Sequence, residues 1–194
     1  MLKNVKYPPE PLTLDEVRAL IGVCSPKCPT GICNRALIVC LWRGGLRITE
    51  ALSLEIRDLD DGILRVRHGK GDKSRVVALD PEAWAVLQTW LERKKHEGIG
   101  GPVFSTLHGE PLLTAYVRNL FKRLARKAGV HKRVHAHGLR HTFAAGLADE
   151  KLDIRIIQKA LGHSNLGTTQ RYVDHLRPTA VIDALRARNW QFAP

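Results

Sequence analysis

The stretch from His137 to Tyr172 constrains this chain more than any other: HGLRHTFAAGLADEKLDIRIIQKALGHSNLGTTQRY. His137 and Arg140 are three residues apart and share one face if the stretch is helical. Phe143, Ala144 and Leu147 continue the period, which predicts a helix with a buried back. Asp153 is placed to cap a second amphipathic segment carrying Ile156, Ile157, Ala160 and Leu161. Gly162 stops that segment, His163 follows at once, and Tyr172 comes nine residues later, directly after Arg171. A lone His near a helix end is usually structural, and a lone helical Tyr usually packs. Here two imidazoles, a guanidinium and a phenol are spaced so that three short elements could bring them together. Those groups can attack a phosphodiester: a phenol forms a covalent intermediate, Arg grips non-bridging oxygens as a fork, and His moves protons.

The rest of the chain reads as a mainly helical α+β domain. Residues Met1 to Pro11, with Tyr7-Pro8-Pro9, read as an extended linker. Thr13 and Glu16 form a capping box that opens a helix with Leu14, Val17, Leu20 and Ile21 inward. The loop Pro26 to Gly31 breaks it, and an apolar core helix is expected from about Cys33 to Arg43. Gly44 and Gly45 end that helix, and Thr49 is the expected cap of the next. Arg47 therefore lies in a helix-to-helix turn between two apolar residues, Leu46 and Ile48, with Glu50 three positions on. Its plainest role would be an ion pair with Glu50.

Between Gly62 and Leu79 the period changes. Ile63, Leu64 and Val66, then Val76, Val77 and Leu79, flank Gly69-Lys70-Gly71-Asp72-Lys73, the pattern of an antiparallel hairpin. Asp80 and Pro81 open a helix to about Glu97 whose buried stripe is Trp84, Leu87, Trp90 and Leu91. Gly98 to Gly101 is loop and Val103-Phe104 a short apolar piece. A helix from Thr114 to about Ala128 sets Tyr116, Leu120 and Leu124 on one side and Arg118, Lys122, Arg123, Arg126 and Lys127 on the other. Such a basic face is either simply solvated or lies along a DNA groove or backbone. Past a break at His175 to Pro178, residues Val181, Ile182 and Leu185 suggest a short helix, followed by Trp190 and Phe192.

Lys and Arg total 31 against 19 acids, a net charge of +12 and a pI near 10.0, which points to a polyanion and first to nucleic acid. No apolar run approaches the ~18 residues of a membrane span, and the N-terminus lacks a signal-peptide pattern. The four cysteines, Cys24, Cys28, Cys33 and Cys40, contain no CxxC and read as free thiols, with a structural metal on the first three as the alternative. Neither a Walker A pattern nor a magnesium-holding carboxylate cluster is present.

The combination of His137-Gly138-Leu139-Arg140-His141, Leu161-Gly162-His163, Tyr172 and Gly45-Leu46-Arg47 with Glu50 resembles the catalytic core of the tyrosine recombinases, the phage-integrase and Xer family. The likeness runs from about Leu12 to Leu185. It implies that family's catalytic-domain fold over residues 12–175, with a small antiparallel sheet at one edge. It implies a C-terminal tail over 176–194 that docks either on a neighbouring protomer or back on its own domain. By resemblance, Tyr172 is the nucleophile that forms a 3′-phosphotyrosyl bond, and Arg47 and Arg140 clamp the scissile phosphate. His163 adds a hydrogen bond to that phosphate, and His137 accepts the phenolic proton or positions its acceptor. Glu50 orients a guanidinium or an imidazole, and the hairpin turn supplies the general acid. Lys70, between the glycines, is assigned that role, with Lys73 as its competitor or as a backbone-phosphate contact beside Arg171.

The resemblance further implies double-stranded DNA as partner, a monomer in free solution that becomes a tetramer on DNA, and no metal or nucleotide cofactor. It implies neither membrane association nor export, but a cytoplasmic, DNA-associated protein. Family members carry a helical DNA-clamping domain ahead of the catalytic one, and Lys3 to Pro11 resembles the tether between them. An excised catalytic domain and a minimal recombinase both fit. Two rival functions share many of these residues: a type IB topoisomerase-like nicking and resealing enzyme, and a DNA-binding regulator with an idle site.

Overall fold

The computed structural model describes residues 11–67, 74–162 and 186. Among these residues seven α-helices and a short antiparallel sheet follow in the order α1 (Leu14–Gly22), α2 (Pro29–Arg43), α3 (Ile48–Leu52), a 3₁₀ turn (Ile56–Asp58), β1 (Leu59–Asp60), β2 (Ile63–Val66), β3 (Arg75–Ala78), α4 (Pro81–His96), α5 (Thr114–Ala128), α6 (Ala136–Asp149) and α7 (Ile154–Leu161). This is the mainly helical α+β domain that the sequence leads one to expect.

Helix α2 is the axis of the core. From Ile32 to Leu41 every residue except Arg35 is buried, so it has no solvent stripe and packs against α3, α4, α6 and α1 on different sides. It starts at Pro29, four residues earlier than expected. A proline at the first helical position lacks an N–H that would be unpaired there anyway, so the expected loop shortens into the helix. Trp90 of α4 is fully buried, and its indole N–H donates to the Val103 carbonyl at 2.7 Å.

Local signals place most other ends. Thr13 and Glu16 make both bonds of the capping box, Asp80 accepts from the Ala83 N–H, and Asp153 accepts from the Arg155 N–H. The hairpin is antiparallel, with Leu64 opposite Val77 and Val66 opposite Arg75. Its side chains alternate: Leu64, Val66 and Val77 point into the core, while Ile63 and Val76 are exposed. Strand β1 adds a third, two-residue edge.

Three expectations are corrected. Leu14 is 47% exposed rather than inward, because it lies with Arg18 and Ile21 on the flank of α1 beside the buried stripe of Val17 and Leu20. Ile156 is 52% exposed, and only Ile157 and Leu161 anchor α7. Thr49 does not cap α3. The helix starts two residues earlier, at Ile48, with Arg47 in the cap position and the Glu50 carboxylate accepting its backbone N–H at 2.7 Å. The four cysteines are free, Cys28 exposed and the other three buried. Among the described residues no group of metal-ligating side chains converges and no helix is long and apolar enough to cross a membrane.

Candidate active site

The site is built on the turn after α2. Gly45 has φ +56°, and a Cβ there would lie 2.2 Å from the Phe143 ring, so both backbone sign and space demand glycine. That close approach seats α6 against the turn. Leu46, fully buried, then anchors the chain so that Arg47 enters α3 with an extended backbone.

Glu50, in the first turn of α3, is the centre of the cluster. It is 2% exposed, and its two oxygens accept four hydrogen bonds. Arg47 gives Nη1 at 2.6 Å and its backbone N–H. Arg75 gives Nη1 at 2.5 Å and Nη2 at 2.8 Å as a bidentate fork. Arg140 Nη1 stands 4.0 Å from the same carboxylate. Burial pushes the Glu50 carboxyl up, but the bonds from Arg75 and Arg47 outweigh it and hold its pKa at about 2. Relative to its ordinary 4.5, that depression is worth on the order of 3 kcal/mol of native stability at neutral pH.

Arg140, 2% exposed on α6, donates to the carbonyls of Gly45 and Leu161. Arg47 Nη2 donates to the next carbonyl, Gly162, at 3.3 Å. The two arginines thus meet at the C-terminal end of α7, where unpaired carbonyls carry partial negative charge. Gly162 caps that end with φ +60°, and a Cβ on it would lie 2.7 Å from Arg75 Cδ. Three guanidinium groups from the α3 cap, β3 and α6 are therefore gathered around one carboxylate and one helix end.

His137, in the first turn of α6, keeps part of its surface open to solvent. Its ring meets that of buried His141 edge-on, with centroids 4.3 Å apart. Desolvation on its protein side, then the charges of Arg140, His135 and Arg47, lower its pKa below the ordinary imidazole value. It is therefore a neutral imidazole at pH 7, able to accept a proton. His135 caps α6 through Nδ1, which accepts from the Gly138 N–H at 3.0 Å.

The basic face of α5 is exposed, as its period predicts, but it divides. Arg118 and Lys122 line a cleft of about 340 Å³ together with Arg133, His135 and His137. Arg123, Arg126 and Lys127 line a different cleft, of about 630 Å³, with Cys24 and Cys28. Only the first half of the face adjoins the site. Lys127 donates to the Val23 carbonyl, and Arg123 lies over the Tyr116 ring.

Lys70, Lys73, His163, Arg171 and Tyr172 lie outside the described residues. The structure thus brings together Arg47, Glu50, Arg140 and His137 of the expected set. It adds one group that sequence reading missed, Arg75. A signal existed: Arg75 shares strand parity with Val77 and Leu79, both buried, so a cation stands at an inward position.

Residues 10–177 match the profile of the phage integrase family. Over 186 residues the chain is 40% identical to the tyrosine recombinase XerA of Thermococcus kodakarensis, and over 181 residues 35% identical to the tyrosine recombinase XerD of Ralstonia nicotianae. Those alignments cover 91% and 89% of this chain but 64% and 59% of the two proteins, so the chain spans about three fifths of the curated relatives' length. Among solved structures, a crystal structure of XerA recombinase superposes with a TM-score of 0.80 at 30% identity, over 94% of this chain and 66% of that one. XerH site-specific recombinase, bound to its palindromic difH substrate in a post-cleavage complex, gives a TM-score of 0.75 at 30% identity over 92% of this chain and 53% of that one.

Proposed function

The chain belongs to the phage integrase family and has the fold of a tyrosine recombinase catalytic domain, and from that premise we propose that it cleaves and rejoins double-stranded DNA site-specifically through a 3′-phosphotyrosyl intermediate. The observation that carries the reading is the convergence of Arg47 and Arg140 on buried Glu50 and on the carbonyls of Leu161 and Gly162, immediately before His163.

In this reading the Tyr172 phenolate attacks phosphorus and the bond to the 5′-oxygen breaks. A phenol with a pKa of about 10 needs an acceptor at neutral pH, and His137 takes its proton. Lys70 returns a proton to the departing 5′-oxygen, which leaves as a hydroxyl. Arg47 and Arg140 bind the non-bridging oxygens, with a further hydrogen bond from His163. Negative charge grows on those oxygens as the pentacoordinate state forms. Donors already fixed by Glu50 and the end of α7 gain there without reorganising. Attack by a 5′-hydroxyl from a second duplex reseals the strand, so exchange requires several protomers, and we assign a tetramer on DNA. Arg118 and Lys122, beside His137, contact the flanking phosphates, and Lys73 and Arg171 are assigned further backbone contacts.

The test is a nicked suicide duplex, selected from a randomised-core library for covalent capture by the wild-type chain. An SDS-resistant adduct is expected, absent in Tyr172→Phe while DNA binding persists. An adduct that survives in Tyr172→Phe overturns the nucleophile. Relaxation of supercoiled plasmid without strand exchange would instead make the enzyme topoisomerase-like.

A further inference from the structure

We propose that Arg75 is a positioning residue for strand cleavage: it engages both oxygens of Glu50, so that Arg47 and Arg140 are held beside that carboxylate with charge left over for the scissile phosphate. The inference rests on the recombinase reading above.

The geometry divides the labour among the three guanidinium groups. Arg75 forms the only side-chain fork onto Glu50 among the described residues. Arg47 contributes one guanidinium N–H, and Arg140 stops at 4.0 Å, beyond hydrogen-bonding reach. Without Arg75, both Glu50 oxygens would have room for the other two arginines, and a closer ion pair would neutralise the groups meant for substrate. With it, three guanidinium groups face one carboxylate among the described residues, more positive charge than Glu50 alone offsets. A phosphodiester carries one negative charge and its pentacoordinate state two, so the surplus favours the transition state over the ground state.

Stability alone explains Arg75 poorly. A buried Arg–carboxylate pair is roughly break-even against an apolar pair of similar volume. The Nε–H of Arg75 is also buried without an acceptor among the described residues, which costs further. Position explains it better. Arg75 opens β3 at the end of the hairpin turn, pairs with Glu50 in the first turn of α3, and packs under Gly162, the residue before His163. It ties the start of β3 to the first turn of α3 and to the C-terminal end of α7.

The test is single-turnover cleavage of the captured suicide duplex at saturating DNA by wild type, Arg75→Gln, Arg75→Lys, Glu50→Gln and the double variant. Arg75→Gln is expected to cleave about 10–100-fold more slowly, with affinity for the duplex changed less than about threefold. Arg75→Lys should recover part of the rate, since it keeps the charge and loses the fork. In Arg75→Gln the lower acid step that Glu50 sets, read in a His137→Gln background where the His137 limb is gone, should move to higher pH, because Glu50 loses its main partner. The double variant should be no slower than Glu50→Gln, since Arg75 acts through that carboxylate. Wild-type kinetics in Arg75→Gln, multiplicative losses in the double variant, or a loss confined to DNA affinity would each overturn the inference. If Arg75→Gln does not fold, Arg75→Lys decides: slower cleavage with a shifted lower acid step supports it, and wild-type behaviour overturns it. No adduct from wild type would overturn the recombinase reading and this inference together, whereas an adduct with unaltered Arg75 variants overturns the inference alone.

Discussion

Two cationic regions of this protein differ in almost every physical respect. Around Glu50, guanidinium groups from the α3 cap, β3 and α6 are largely buried and share one carboxylate, and those of Arg47 and Arg140 also donate to the carbonyls closing α7. Along α5, Arg118, Lys122, Arg123, Arg126 and Lys127 stand on an exposed helix face. The first region has fixed geometry and little water, so its charges act strongly and at one place. The second is screened by salt and adaptable, suited to gripping a polyanion without choosing an atom on it. In the proposed reading, net charge draws DNA in and the buried cluster acts on one phosphate.

The sharpest test of that division is to remove a clamp. Arg47→Ala and Arg140→Ala should each lower the single-turnover cleavage rate by about 10²–10³, with binding retained. Arg140→Ala should in addition lower Tm, since it leaves the Gly45 and Leu161 carbonyls without their partner, at about 1–3 kcal/mol each; Arg47, 26% exposed, should cost less. Equal losses of rate from α5 substitutions would erase the distinction between the regions. Next in size is the lysine test: Lys70→Ala should slow cleavage, and a 5′-phosphorothiolate at the scissile bond, whose sulfur leaves unprotonated, should rescue it. Rescue of Lys73→Ala in its place would reassign the general acid.

The α5 effects should be smaller and of another kind. Arg118→Ala with Lys122→Ala should weaken binding and lower the slope of log K against log salt by about one for each phosphate no longer neutralised, leaving the rate at saturation nearly unchanged. Arg126→Ala with Lys127→Ala should do less, because those residues border the separate cleft by Cys28. A reversed order, read from titrations at several salt concentrations, would move the DNA path across α5. Smallest is the response to mild acid. The His137 pKa is lowered, so the acid limb of cleavage it controls should have its midpoint below about 6.5 and vanish in His137→Gln. Glu50 acts lower still: its contribution to stability is complete above about 4.5 and is lost as pH falls toward about 2, visible as a fall in Tm over that window.

Much of this was legible from residues in a row. Thr13 with Glu16, Asp80 with Pro81, and Asp153 announce helix starts because capping is a local bond. The hairpin and the buried α2 follow from period alone, and Arg47, Glu50 and Arg140 sit in short motifs. What escaped depends on distance along the chain. Arg75 meets Glu50 from 25 positions away and Gly162 from farther, and in sequence it looks like a polar residue at a strand end. Thr49 is a good cap by type, but Glu50 reaches back to the Arg47 N–H and starts the helix earlier. Leu14 fits the apolar period, but it stands on the flank of α1 shared with Arg18 and Ile21, beside the buried stripe. The splitting of the α5 face between two clefts depends on what α1, α2 and α6 bring alongside it, which no helical wheel contains.

The most direct measurement is to digest the adduct trapped on the suicide duplex with protease and nuclease, and to locate the nucleotide remnant by tandem mass spectrometry. The account predicts a 3′-linked nucleotide phosphate on the phenolic oxygen of Tyr172. A remnant on any other side chain, or a 5′ linkage, would contradict it.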